Sequence, residues 1–240
     1  MDITGKKVLL TGGSAGIGKA LAFQLRDAGA DVTITGRNAQ RLAEMRTQGF
    51  GAIEVDLSNA MGVDALIAEW GKKDLDILIN NAGMGAETNY AEAKVDGDEA
   101  DACFYANLAA PARLTGGLLR RLRKRPESSI VFVTSGLALA PSKDAAVYCA
   151  TKAGLRSFVF SLRAQFKESG VHVIEALPPM VDTQMTSAYD VSKMTPEQCA
   201  GDILDAIKRN KAEVLIGQTR LLRFVQGISP SLARRIMLSL

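Results

Sequence analysis

Along the chain, short runs of nearly unbroken apolar residues alternate with longer stretches in which apolar positions recur every three or four residues. The short runs, at residues 8–11, 32–35, 52–55, 77–79, 130–134, 171–176 and 214–216, have strand length and almost no polar face. Strands of that kind belong to a parallel sheet covered on both sides. The amphipathic stretches between them predict helices over 18–28, 39–48, 61–71, 99–124, 147–169 and 196–210. This alternation predicts an α/β fold: one doubly wound, Rossmann-type domain with a seven-stranded, mostly parallel sheet and helices on both faces. In such sheets ligands bind beyond the carboxyl ends of the strands.

No linker rich in Pro, Gly or Ser divides the 240 residues, so one domain is expected over 1–217. Residues 218–240 form an amphipathic, basic tail with four arginines and no acid. It is expected to pack on the domain or on a neighbouring subunit, with a peripheral membrane helix as the other reading.

Composition narrows the field. With 47% hydrophobic and 23% charged residues the chain is that of a globular protein, and a net charge of +3 gives no reason to expect nucleic acid. One histidine, His172, cannot furnish a His/Cys metal cluster; it begins a strand that reads as buried. Cys103, Cys149 and Cys199 are widely spaced, the pattern of reduced thiols in a cytoplasmic protein. The first residues run directly into a strand, leaving no room for a signal peptide. Arg120 to Arg125 places five cations near one predicted helix end, where they complement the helix dipole or meet an acidic partner.

The candidate chemistry begins in a strand-to-helix turn, Thr11-Gly12-Gly13-Ser14-Ala15-Gly16-Ile17-Gly18. Backbone without Cβ at Gly12, Gly16 and Gly18 lets a pyrophosphate approach the amides and the helix N-terminus, with Ser14 and Ile17 in the same turn. The end of the second strand lacks the carboxylate that binds NAD ribose and carries Arg37 instead. A guanidinium there suits the 2′-phosphate of NADP. Asp56, beside Leu57 after the third strand, is placed for an adenine amino group or for capping the next helix. Asn80-Asn81-Ala82-Gly83 ends the fourth strand with small residues that let backbone pass the ribose, and with amides able to tie strands together.

Tyr148 and Lys152, four apart on one predicted helix, project from the same face. A lysine cation beside a phenol favours the phenolate and lowers its pKa. Ser135, just past the fifth strand, puts a hydroxyl within reach of a substrate oxygen. Cys149 projects about 100° round the helix from Tyr148 and reads as packing.

Together these motifs resemble the short-chain dehydrogenase/reductase family in its single-domain form, from residue 6 to about 217. Asn107 matches the family's helix asparagine. The resemblance implies a catalytic tetrad of Asn107, Ser135, Tyr148 and Lys152, in which Tyr148 donates the proton. Lys152 holds the nicotinamide ribose, and Asn107 keeps a water that resupplies the proton. It also implies nicotinamide contacts from Pro178, Val181 and Thr183, a substrate loop over 183–195, and a homodimer or homotetramer. Pro179 stands where the family carries glycine. The double proline and the Ile228-Ser229-Pro230 segment are similar to a bacterial DltE-type subgroup. The contrasting reading is a nucleotide-binding sensor that keeps the fold without turnover.

Overall fold

The structure is a computed structural model and describes residues 1–86 and 88–239. Its main sheet has the order β3-β2-β1-β4-β7-β8-β9, every neighbouring pair parallel. The strands are β1 (Lys7–Leu10), β2 (Asp31–Gly36), β3 (Gly51–Glu54), β4 (Ile77–Asn80), β7 (Ser128–Val133), β8 (Val171–Leu177) and β9 (Glu213–Leu215). From β1 the chain winds outward through β2 to β3, then returns to β4 and winds the other way. The crevice beyond β1 and β4 is therefore the switch point where such sheets take ligands.

Why the strands read as continuously apolar is visible in the packing. Val8 and Leu10 fall in one core, with Leu21 and Leu25 of α1 (Gly16–Asp27) and Ile203 of α7 (Pro196–Lys208). Leu9, between them in sequence, falls in the other. That second core holds Leu66 of α3 (Ala60–Trp70), Leu114 of α5 (Ala110–Leu122) and Val159 of α6 (Ala146–Gln165). Successive side chains point to opposite faces and both faces are covered, so neither parity is polar. The remaining body helix, α2 (Ala39–Thr47), closes the edge by β2 and β3.

Two elements depart from the sequence expectation. The helix expected over 99–124 is α4 (Gly97–Phe104), a π-turn at Tyr105–Ala109, and α5. Pro111 supplies the reason. It has no N–H to give the Asn107 carbonyl and its ring crowds that carbonyl, so the helix widens there. A two-residue antiparallel hairpin, β5 (Thr88–Asn89) with β6 (Lys94–Val95), also went unpredicted. Strands that short carry no periodicity to detect.

Two of the five cations in the 120–125 cluster are tied to the body, while Arg120, Arg123 and Lys124 are exposed. Arg121 donates to the Gly71 carbonyl, and Arg125 bonds Asp76 at 2.7 Å and Asp74 at 3.2 Å. His172 is half-exposed rather than buried, with Nε2 3.4 Å from Glu127. Among the described residues no helix is long and apolar enough to cross a membrane. The tail folds as α8 (Thr219–Ile228) and α9 (Pro230–Ser239), which pack against each other.

Candidate active site

An open groove of about 730 Å3 runs over the carboxyl ends of the strands. It is lined from the glycine turn, through Gly36, Arg37, Asp56 and Leu57, past Ala82 and Gly83, to Ser135, Tyr148, Lys152, Pro178, Val181 and Thr183. Sixteen of the eighteen site residues expected from sequence thus share one cleft; Asn80 and Asn107 do not line it. Asn80 is buried at the end of β4, and Asn81 takes the groove side.

At one end the groove is built for an anion. Gly12 and Gly16 have φ of +67° and +51°, the left-handed region that glycine tolerates. A Cβ on Gly18 would run into the Gly12 carbonyl, and one on Gly16 would lie 2.9 Å from Thr183 Cγ2. The N-cap of α1, Ala15, makes no side-chain cap bond, and no acid occupies the first turn. Those unpaired amides and the positive helix end suit a pyrophosphate.

Thr11 and Asn81 hold this turn in place. Thr11 Oγ1 accepts the Asn81 and Ala82 N–H groups, each at 3.0 Å, and Asn81 Nδ2 donates to the Thr11 and Gly12 carbonyls at 3.0 and 3.2 Å. The strand-tying role expected of the paired asparagines therefore falls to Asn81.

Past the β2 end, Arg37 is exposed, with Nη1 3.9 Å from Asp56 Oδ1. Arg41, on α2, lines the same stretch and bonds Gln184 at 3.1 Å; sequence reasoning missed it for want of any spacing rule. Asp56 does not cap α3. Its carboxylate accepts from Ser58, at 3.1 Å from the backbone and 2.9 Å from the hydroxyl, while Asn59 caps the helix through Gly62 N–H.

The other end carries proton chemistry. Ser135 Oγ accepts the Leu137 N–H at 3.1 Å and is hydrogen-bonded to the Tyr148 hydroxyl. Lys152 Nζ donates to the Val133 carbonyl at 2.9 Å and lies 5.5 Å from the centroid of the Tyr148 ring. The electrostatics reverse the sequence expectation. Burial pushes the Tyr148 phenol up to about 12, against the pull of the Ser135 hydrogen bond. The same burial pushes Lys152 down to about 8. In this state desolvation sets the direction of both shifts.

Lys152 therefore costs stability near neutral pH. The unfolded chain keeps the lysine charged up to about 10.5, whereas the folded chain releases the proton near 8. Stability rises with pH across that window. Lys152→Met is expected to be ~1–2 kcal/mol more stable than the native chain at pH 7, even after losing the bond to Val133. The difference should shrink toward pH 10, as read by urea unfolding at both pH values.

Asn107 acts one layer out. Its Oδ1 accepts the Met84 N–H at 2.9 Å, and its Nδ2 faces the Met84 carbonyl at 2.9 Å and Thr151 Oγ1 at 3.1 Å. The side chain thus pins the 82–86 segment to the helix that widens at Pro111. Cys149 packs by Ser142, its sulfur 3.4 Å from that backbone nitrogen. Pro179 lines the groove, with its ring against Gly217.

Comparison with known proteins places the family and the fold. A family model described as short chain dehydrogenase matches residues 6–193. An uncharacterized oxidoreductase of Bacillus subtilis, DltE, is 40% identical over 229 residues, 89% of each chain. A short chain dehydrogenase from Burkholderia cenocepacia in complex with NADP superposes with a TM-score of 0.89 at 24% identity, covering 99% of both chains. One from Sphingobium yanoikuyae in complex with NADPH gives 0.81 at 25% identity over 95% of this chain and 94% of that one.

Proposed function

The chain belongs to the short-chain dehydrogenase family of oxidoreductases, and we propose that it uses NADP(H) to move a hydride between nicotinamide and a carbonyl or alcohol carbon. Tyr148 is the general acid/base. The observation that carries this reading is the convergence of Ser135, Tyr148 and Lys152 at one end of a groove whose other end is an uncapped helix N-terminus.

Bound nicotinamide supplies the hydride, and this chain's side chains do the rest. The glycine turn and the α1 amides hold the pyrophosphate, Arg37 meets the 2′-phosphate, and Lys152 reaches the ribose hydroxyls. Ser135 and Tyr148 donate hydrogen bonds to the substrate oxygen, polarising the carbonyl, and Tyr148 delivers its proton there. A phenol held near 12 is fully protonated at neutral pH, which suits the acid role in reduction. For alcohol oxidation the same group must give up that proton. A protonated Lys152, 5.5 Å from the ring centroid, would lower that cost by favouring the phenolate.

Exposed Phe104 on α4 and Phe160 on α6 support assembly as a homodimer or homotetramer through those helices. The test of the reaction is NADPH and NADH oxidation across a panel of aldehydes, ketones and 3-oxoacyl thioesters. Consumption of NADPH with at least one class supports it, and tight NADPH binding with no turnover on any class goes against it.

The cofactor preference has its own test. Arg37→Ala is expected to weaken NADPH binding roughly 10–100-fold, the worth of one or two charge-assisted hydrogen bonds. NADH binding should stay within about twofold. Equal losses for both cofactors, measured by fluorescence titration, would remove Arg37 from the 2′-phosphate site.

A further inference from the structure

The C-terminal hairpin carries an apolar stripe that the rest of the chain leaves uncovered. It holds to the body at a few points: Thr219 and Ala233 are buried, and Gln226 Nε2 donates to the Leu139 carbonyl at 2.7 Å. On α8, Leu221, Phe224 and Ile228 fall at i, i+3 and i+7, on one face, and are 66%, 66% and 70% exposed. On α9, Leu232 and Ile236, one turn apart, are also exposed.

Charge identifies what covers this face. Arg220 and Arg223 follow one edge of the α8 stripe, and Arg234 and Arg235 lie on α9, all four exposed. Among the described residues none of the four forms an ion pair; Arg220 bonds only the Leu215 carbonyl, at 2.9 Å. No acid follows Glu213, and Glu213 is engaged by Arg156 at 2.9 Å. The 143–145 turn packed beneath α9 adds an acid, Asp144, which sits next to Lys143.

From these features we infer that the α8–α9 hairpin docks onto an anionic phospholipid bilayer. Large apolar side chains flanked by arginines match acyl chains below phosphate headgroups. A second copy of the same face offers no acid to those arginines and sets cation against cation. The surface is rooted at the chemical end of the groove, because Thr219 packs against Gly136, the residue after Ser135. The inference stands apart from the proposed reaction, since its test reads binding and not turnover.

The experiment is co-sedimentation of the full chain with vesicles of phosphatidylcholine, alone or mixed with phosphatidylglycerol. Binding to the mixed vesicles is expected to exceed binding to the neutral ones by at least ~10-fold and to fall with salt. The double variant Leu221→Ser/Phe224→Ser should lose it. Arg223→Gln/Arg234→Gln/Arg235→Gln should drop to the neutral-vesicle level. Circular dichroism and NADPH titration confirm that both variants are folded. The inference is overturned by absence of binding to the mixed vesicles, or by binding that both variants retain. It is equally overturned by a dimer that the Leu221/Phe224 variant disperses while the full chain ignores lipid, which would make the face an interface between copies.

Discussion

Tyr148→Phe is expected to lower NADPH-dependent carbonyl reduction by ~10^2–10^4-fold, the usual worth of a positioned proton donor. The substitution removes one oxygen and keeps the ring that faces Lys152 Nζ at 5.5 Å. Cofactor affinity should therefore change by no more than about threefold, and stability by no more than ~1 kcal/mol, because only the Ser135 hydrogen bond is lost. That separation is what makes the result readable. Lost turnover with retained cofactor binding identifies Tyr148 as the acid. Activity above about a tenth of the native value in the same assay would require a different donor.

The largest effect on stability is expected from Arg156→Ala. Arg156 lies one turn beyond Lys152 on α6 and reaches under the site to two strands. Its Nη1 is 2.6 Å from Glu175 on β8 and its Nη2 is 2.9 Å from Glu213 on β9. Glu175 is fully buried and also accepts from Thr134 Oγ1 at 2.9 Å, so the network ends one residue from Ser135. Burial already holds the Glu175 carboxyl above its ordinary range, with Arg156 pulling it down. Without the guanidinium, a buried carboxylate is left uncompensated, at a cost of ~3–5 kcal/mol.

The pH dependence has a definite sign. A carboxyl whose folded pKa is raised binds more protons in the folded than in the unfolded chain, so stability falls as pH rises through the folded value. Losing Arg156 raises that value further. The variant should therefore lose more at pH 8 than at pH 5, with a melting temperature lower by roughly 10 °C at the higher pH. Replacing both partners, Arg156→Met with Glu175→Leu, should recover much of the loss. A single variant as stable as the native chain at pH 8 would show that the network contributes only geometry.

Most of the architecture was legible because burial on both faces leaves a periodic record. Val8, Leu9 and Leu10 serve two cores in alternation, so an unbroken apolar run marks a central parallel strand. The glycines of the turn were legible for a steric reason, since positions such as Gly16 and Gly18 have no room for a Cβ. The helix break was less so. Pro111 is plain in the sequence, but an amphipathic pattern continuing through it conceals that the chain answers with a π-turn at Tyr105–Ala109.

What the sequence by itself determined is therefore the order of strands and helices, the bare turn before α1, and which side chains share a helix face. It also carried the family, because TGGSAGIG, NNAG and the tyrosine–lysine pair are local strings whose spacing survives in one dimension. Only the tertiary structure decided which of two adjacent asparagines faces the groove, because that depends on whether Thr11 stands opposite. It alone decided the protonation balance of Tyr148 and Lys152, because burial, unlike spacing, is set by every neighbouring element at once. And it alone separated the arginines already bound to the body, Arg121 and Arg125, from those of the tail that stand beside uncovered Leu221 and Phe224.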